Sequence, residues 1–282
     1  MEEKIDKLKQ KANWVRKQIL EMIVSAGKGH IGGALSCTDI LVTLYYGGIL
    51  RFDPSNKNLD SRDRFILSKG HSCAALYAIL GDLGYFPASE LIKFQKEWSI
   101  LRGHPDRKIQ GIEVDSGSLG HGLGIGAGLS LSAKMDKKDF LTFVLLGDGE
   151  CYEGSVWEAG MFAAHHKLNN LIGIIDYNGL CVTDFIKDCL DIEPLGDKWK
   201  AFGWDVAIVD GHSFGELLSV FSTLRKRESK KPLMVIANTI KGKGISFMEG
   251  NLDFHHTVPK AEQIEIARKE LHNFPIRLIK FP

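Results

Sequence analysis

The sequence predicts an α/β fold, a parallel sheet with helices on both faces. Short apolar runs of strand length alternate with segments of helical periodicity, which is the order that builds such a sheet. Two of the runs, Leu141 to Leu146 and Leu171 to Ile175, are apolar almost throughout, as in strands covered on both sides. Both runs also end in loops that carry glycine and a carboxylate: Gly147-Asp148-Gly149-Glu150 after the first, and Asp176-Tyr177-Asn178-Gly179-Leu180 after the second. In such folds these loops gather at the carboxyl edge of the sheet, where ligands bind.

The chain in order supports the same architecture. Residues 2 to 25 form an amphipathic helix, with Ile5, Leu8, Ala12, Val15, Ile19, Met22 and Ile23 at helical spacing. The stretch Gly27 to Gly33 reads as too glycine-rich for a helix, and an apolar helix from Thr38 to Tyr46, capped near Ser36 or Thr38, comes next. Phe65-Ile66-Leu67 is a short strand leading into Ser68-Lys69-Gly70-His71, with a helix from about Ser72 and another from Ser89 to Glu97. The loop Asp115 to Gly120 precedes a helix from His121 to Lys134, whose small residues allow close packing. A helix from Glu153 to Lys167 links the two central strands. The C-terminal part gives strand Asp205 to Val209, helix Phe214 to Arg227, strand Leu233 to Asn238 and a last helix from Pro259 to Leu271.

Composition excludes several classes of function. The 282 residues are 44% hydrophobic and 25% charged, as in an ordinary globular protein. A net charge of +1 gives no basic field for nucleic acid. No apolar run is long enough to cross a membrane, and the charged start Met1-Glu2-Glu3-Lys4 lacks a signal-peptide core. Five cysteines without a Cys-x-x-Cys pair read as reduced thiols of a cytoplasmic protein, Cys151 and Cys181 among them as packing residues. Neither Gly27-Lys28-Gly29-His30 nor Lys241-Gly242-Lys243-Gly244 has the spacing of a nucleotide P-loop.

The chemistry is expected at the two central loops. Glycines on each side of Asp148 allow a tight turn and close approach of a bulky anion, toward which the start of the following helix would aim free amides. Asp148 at one strand end and Asn178 at the next, with a loop carbonyl, offer the hard oxygen donors that suit magnesium or calcium. An ion held there would also hold phosphate oxygens. Four of the ten histidines, His30, His71, His104 and His255, fall in loops at element junctions. Histidine there suits a site that handles hydroxyls and carbonyls, because it donates, accepts and moves protons near neutral pH. His165, His166 and His256 read as structural.

Gly147-Asp148-Gly149, followed about thirty residues on by the Asn178 segment, resembles the thiamine-diphosphate binding motif, with Tyr177-Asn178 where many members have paired asparagines. Together with Gly29-His30-Ile31-Gly32-Gly33, Ser68-Lys69-Gly70-His71, Gly103-His104-Pro105 and Gly117-Ser118-Leu119-Gly120, it looks like the successive signatures of transketolase. The resemblance covers nearly the whole chain and corresponds to the N-terminal, diphosphate-binding domain. Residues 1–282 are therefore expected to form one domain of the thiamine-diphosphate-binding fold. Single-chain transketolases continue into a pyrimidine-binding domain and a third domain, so the chain resembles the N-terminal subunit of a split transketolase.

The resemblance implies roles. Asp148 and Asn178 would ligate the metal by side chain and Leu180 by its carbonyl, while Gly149 and His71 would contact the diphosphate. Ser118 and Leu119 would lie against thiamine diphosphate, and His30, His104 and His255 would bind the donor sugar and shuttle protons. Phe254-His255-His256-Thr257 departs from the family's histidine followed by glycine, and His121 stands where the family has glutamine. Glu153 and Glu158 match acidic residues that link paired cofactors across a subunit interface. The glutamate that polarises the aminopyrimidine and the arginines that hold the sugar phosphate belong to the pyrimidine-side chain. The expected partner is therefore a C-terminal transketolase subunit, the expected assembly a dimer of heterodimers, and the substrates sugar phosphates.

Two other thiamine enzymes come close. Ser68-Lys69-Gly70-His71 argues against a deoxyxylulose-phosphate synthase, and residues like His30 and His104 argue against the α chain of an oxo-acid dehydrogenase. A non-catalytic cofactor-binding module is the remaining alternative, against which the intact set of Asp148, Asn178 and histidines speaks.

Overall fold

The computed structural model describes residues 1–56 and 59–272. Among these, five strands form one sheet: β1 (Arg64–Leu67), β2 (Thr142–Gly147), β3 (Leu171–Tyr177), β4 (Asp205–Asp210) and β5 (Leu233–Asn238). Their order is β1-β2-β3-β5-β4, with every neighbouring pair parallel. Each matches an expected run to within two residues at either end, β2 beginning one residue later than Leu141.

The central strands divide their side chains between two cores. Phe143, Leu145, Ile172, Ile174, Leu233 and Val235 pack beneath α1 (Glu2–Ala26), α3 (Thr38–Tyr46), α4 (Cys73–Asp82) and α9 (Phe214–Phe221). Val144, Leu146, Leu171, Ile175, Met234 and Ile236 face α5 (Gly122–Met135), α6 (Gly154–His165) and α8 (Leu195–Ala201). Both faces being buried explains why these strands read as continuous apolar runs. The small residues of α5 serve close packing, since a Cβ at Gly126 would stand 2.5 Å from Val144.

Several local expectations are corrected. Residues Ile31–Ser36 form a short helix, α2, despite Gly32 and Gly33. Packing overrides propensity there, because a Cβ on Gly32 would lie 2.7 Å from the Phe254 carbonyl. Neither Ser36 nor Thr38 caps α3; Cys37 occupies that position with no side-chain cap. The expected helix Ser89 to Glu97 is only a 3₁₀ turn over Ala88–Lys93, broken where Gln95 and Trp98 take positive φ values of 54° and 61°. The helix after β4 stops at Phe221, and a 3₁₀ turn, Leu224–Lys226, follows. The last helix, α10, spans Ala261–His272. Two short helices, α7 (Ile186–Cys189) and α8, were not expected; at four and seven residues they are too short to show a period.

Candidate functional site

The carboxyl ends of β2 and β3 are neighbours, with Gly147 paired to Asp176 in the ladder. Asp148 leaves β2 and is only 2% exposed. Its Oδ1 accepts the Gly149 N–H at 2.8 Å, and its Oδ2 accepts the N–H groups of Asn178 (2.9 Å) and Gly179 (2.6 Å). The Asn178 Oδ1 in turn accepts the Leu180 N–H at 3.2 Å. Burial, reinforced by the nearby Asp176 charge, pushes the Asp148 carboxyl up to about 6. Such a carboxylate gains from a cation placed beside it.

Asp148, Asn178 and Leu180 line one cavity of about 170 Å³ with Gly33, Lys69, His71, Leu119, Gly149, Tyr152, Cys181, Val182, Lys241 and His255. The helix start expected to face an anion does not do so. A 3₁₀ turn over Gly149–Tyr152 intervenes, and that turn, rather than α6, lines the cavity. Ser118 and Glu153 are exposed and lie outside the lining, whereas Leu119 is in it.

A buried charge network lies behind the cavity. Lys69 donates to the Asp176 carboxylate and to the Gly33 carbonyl at 3.2 Å, and both charged side chains are almost fully shielded from solvent. Asp176 also accepts the Ser36 hydroxyl at 2.6 Å and the Thr239 hydroxyl. Ser36, a candidate helix cap by sequence, thus serves the site instead. Lys241, 2% exposed, donates to the carbonyls of Cys181 (2.7 Å) and Leu180 (3.5 Å). Burial, aided by the Lys69 charge, brings its ammonium down to about 8.

Glu150 holds the loops around the cavity together. It accepts the Ser68 hydroxyl, the Gly120 N–H at 2.9 Å and the Gly147 N–H at 3.1 Å, so one carboxylate joins the loop after β1, the loop before α5 and the end of β2.

The loop histidines converge. The His30 ring lies 5.3 Å from His71, 5.3 Å from His255 and 6.3 Å from His104, and His71 lies 5.6 Å from His255. The ring of His256 packs 4.4 Å from that of His30, on an exposed residue outside the cavity lining. His165 and His166 pack against each other at the end of α6, apart from the group. Burial, with the charges of His256, His104 and Lys241, lowers His30 to about 4. Burial and then Lys241 lower His255 to about 3, and burial also lowers His71 and His104. The rings are therefore neutral near pH 7, each with one donor and one acceptor nitrogen. Gly117, at φ 134°, lets its backbone pass against the His104 ring, where a Cβ would stand 2.8 Å from Cδ2.

These residues fit a metal-bound diphosphate. Among the described residues no group of three or more His, Cys, Asp or Glu side chains stands together that could hold a metal ion. Asp148 and Asn178 keep free lone pairs after their backbone bonds. The Lys241 ammonium, held by two backbone carbonyls, is left to offset phosphate charge, and the buried Nδ1 of His255 has no protein hydrogen-bond partner.

Sequence reasoning passed over Lys69, Asp176 and Lys241 as site residues. Lysine within the short Ser68-Lys69-Gly70 turn and aspartate closing an apolar strand were the available signals, since buried charges are rare unless used.

Comparison with known proteins agrees with this geometry. The family described as transketolase, thiamine diphosphate binding domain, matches residues 7–279. The chain is 43% identical to one subunit of the apulose-4-phosphate transketolase of Phocaeicola vulgatus, over 91% of its own length and 90% of that protein's. It is 42% identical to the 6-deoxy-6-sulfo-D-fructose transketolase subunit SqwG of a Clostridium species, covering 96% of this chain and 98% of that one. The transketolase structure from Campylobacter jejuni superposes with a TM-score of 0.88 at 30% identity, over 94% of this chain but only 42% of that one. Among the described residues, no helix is long and apolar enough to cross a membrane. The chain belongs to the transketolase family and corresponds to its thiamine diphosphate binding domain.

Proposed function

We propose that this chain is the coenzyme-holding subunit of a two-chain transketolase, moving a two-carbon ketol unit from a ketose phosphate to an aldose phosphate. The observation that carries the reading is the pairing of Asp148 with the Asn178 loop beside converging neutral histidines. Asp148, Asn178 and the Leu180 carbonyl would hold Mg2+ or Ca2+, with Gly149, His71 and Lys241 around the diphosphate of thiamine diphosphate and Leu119 against the coenzyme. The coenzyme, once bound, supplies a carbanion and a store for the electrons of the broken carbon–carbon bond. His30, His104 and His255 bind sugar hydroxyls and take or return their protons, which neutral imidazoles do at pH 7.

The whole chain would act as one diphosphate-binding domain, with the acid that activates the coenzyme and the groups that grip the sugar's distal end coming from a C-terminal subunit. Relatives are named for apulose-4-phosphate and for 6-deoxy-6-sulfo-D-fructose, which supports a donor with a terminal anion. Glu153 and Glu158 are exposed, as are Ile125 on α5 and Met161 and Phe162 on α6, so these helices carry an exposed surface of acidic and apolar side chains. This is the face we take to pair two heterodimers.

Titration with thiamine diphosphate and magnesium, followed by a ketol-transfer assay with and without the partner chain, tests the proposal. Turnover is expected only with both chains. Full activity of this chain alone, or no coenzyme affinity with both present, would overturn it.

A further inference from the structure

Cys181 and Cys189 flank the loop that follows the Asn178–Leu180 tip. Their sulfur atoms lie 3.0 Å apart. Cys181 is half-buried and lines the cavity, while Cys189 is exposed. Backbone contacts hold the ends of the loop between them. Leu180 pairs with Phe185 in an antiparallel bridge, Ile186 N–H donates to Gly179 at 2.9 Å, and Cys189 N–H donates to Phe185 at 3.1 Å. The other cysteines are buried, and their thiols point to backbone carbonyls: Cys37 to Gly33 (3.2 Å), Cys73 to Gly103 (3.1 Å) and Cys151 to Gly147 (3.7 Å). They pack, which for Cys151 matches the sequence reading. Cys181 likewise points its thiol to a backbone carbonyl, that of Asp184 at 3.0 Å, but its sulfur also meets a second sulfur on an exposed residue.

Two thiols in contact need little chain movement to bond, since a disulfide brings its sulfurs to about 2 Å. We propose that Cys181 and Cys189 form a reversible disulfide on exposure to a peroxide, a redox modification site in the wall of the coenzyme cavity. One sulfur attacks the peroxide and keeps one oxygen as a sulfenic acid, while the other oxygen leaves as water. The second thiol then attacks the sulfenic sulfur, the S–S bond forms, and the remaining oxygen leaves as water. Two thiols and one peroxide give one disulfide and two waters; a reducing dithiol restores the thiols.

The bond ties down the segment whose Cys181 carbonyl accepts Lys241 at 2.7 Å and in which Leu180, Cys181 and Val182 line the cavity. Coenzyme exchange past that segment slows. This consequence rests on the reading of the cavity given above; the bond itself does not.

The test treats the full chain, alone and with its partner subunit, with hydrogen peroxide and maps the peptides by mass spectrometry. The expected product is a peptide linked through Cys181 and Cys189, two hydrogen masses lighter, reversed by dithiothreitol and absent from Cys181→Ser and Cys189→Ser. Thiols that stay reduced, sulfinic acid at Cys189 without a link, or linkage only between separate chains would each overturn the proposal. In the oxidised complex, thiamine diphosphate released into excess unlabelled coenzyme is expected to leave several-fold more slowly than in the reduced one or in Cys189→Ser. An unchanged release rate with the linked peptide present would overturn the effect on exchange. Failure of the reduced complex to bind coenzyme at all would instead count against the functional reading.

Discussion

The Asp148 carboxylate accepts the backbone N–H of Asn178 at 2.9 Å, so a side chain from the end of β2 fixes the main chain at the end of β3. The acid proposed as a metal ligand therefore also orients the amide proposed as its companion. Replacing Asp148 by Asn keeps the shape but removes the charge. The metal-dependent affinity for thiamine diphosphate is expected to fall at least about tenfold, or 1.4 kcal/mol. Calorimetric titration of the two-chain complex with and without magnesium would show it. Equal affinity for wild type and Asp148→Asn in magnesium would refute this metal assignment.

Lys69 and Asp176 form a buried pair whose two members are not equal. Asp176 keeps the Ser36 and Thr239 hydroxyls when the lysine is lost, yet its charge is stranded. Lys69→Met should cost about 3–5 kcal/mol of stability. Adding Asp176→Asn should return part of that loss. Denaturant unfolding of the two single variants and the double variant measures the coupling; strict additivity would show that the pair does not act as a unit.

Glu150 uses both oxygens, Oε1 for Ser68 and Gly120 and Oε2 for Gly147. Glutamine preserves only one acceptor and turns its amide toward the Gly147 N–H. One buried donor is left unpaired, at a cost of about 1–3 kcal/mol. Hydrogen exchange at the Gly120 and Gly147 amides should quicken in Glu150→Gln, while exchange at strand amides remote from these loops should not.

The histidine group makes stability depend on pH. An unfolded histidine titrates near its ordinary value of 6.5, whereas His30 does so near 4, so between those pH values the unfolded chain binds more protons. Stability should therefore fall as pH drops from about 6.5 towards 4. His30→Gln should flatten that slope. NMR titration of the His30 ring should give a midpoint near 4; a midpoint at 6 or above would contradict the burial argument.

The central strands were legible in the sequence because both of their faces are buried, which leaves long unbroken apolar runs such as Leu141 to Leu146. Asp148 and Asn178 were legible because polar residues after such runs stand out, and His30, His71, His104 and His255 because they fall in loops at element junctions. Nothing in Phe254-His255-His256-Thr257 tells that both rings turn toward His30. Gly32 and Gly33 misled because intrinsic propensity ignores the neighbours that press a backbone into a helix. Lys69 was hidden for a related reason. Its partner, Asp176, lies over a hundred residues away, and local pattern carries no record of such a meeting.

The Glu150 carboxylate has a consequence for the thermodynamics of ligand capture. Three loops are already joined through it, and two strand ends through Asp148, by bonds internal to the protein. The ordering of those segments is thus met during folding rather than at encounter, so less of the interaction energy is lost to entropy when the ligand arrives. The part of the cavity built by those segments behaves as a mould rather than a clasp, and selectivity there follows from rejecting whatever does not match a fixed shape.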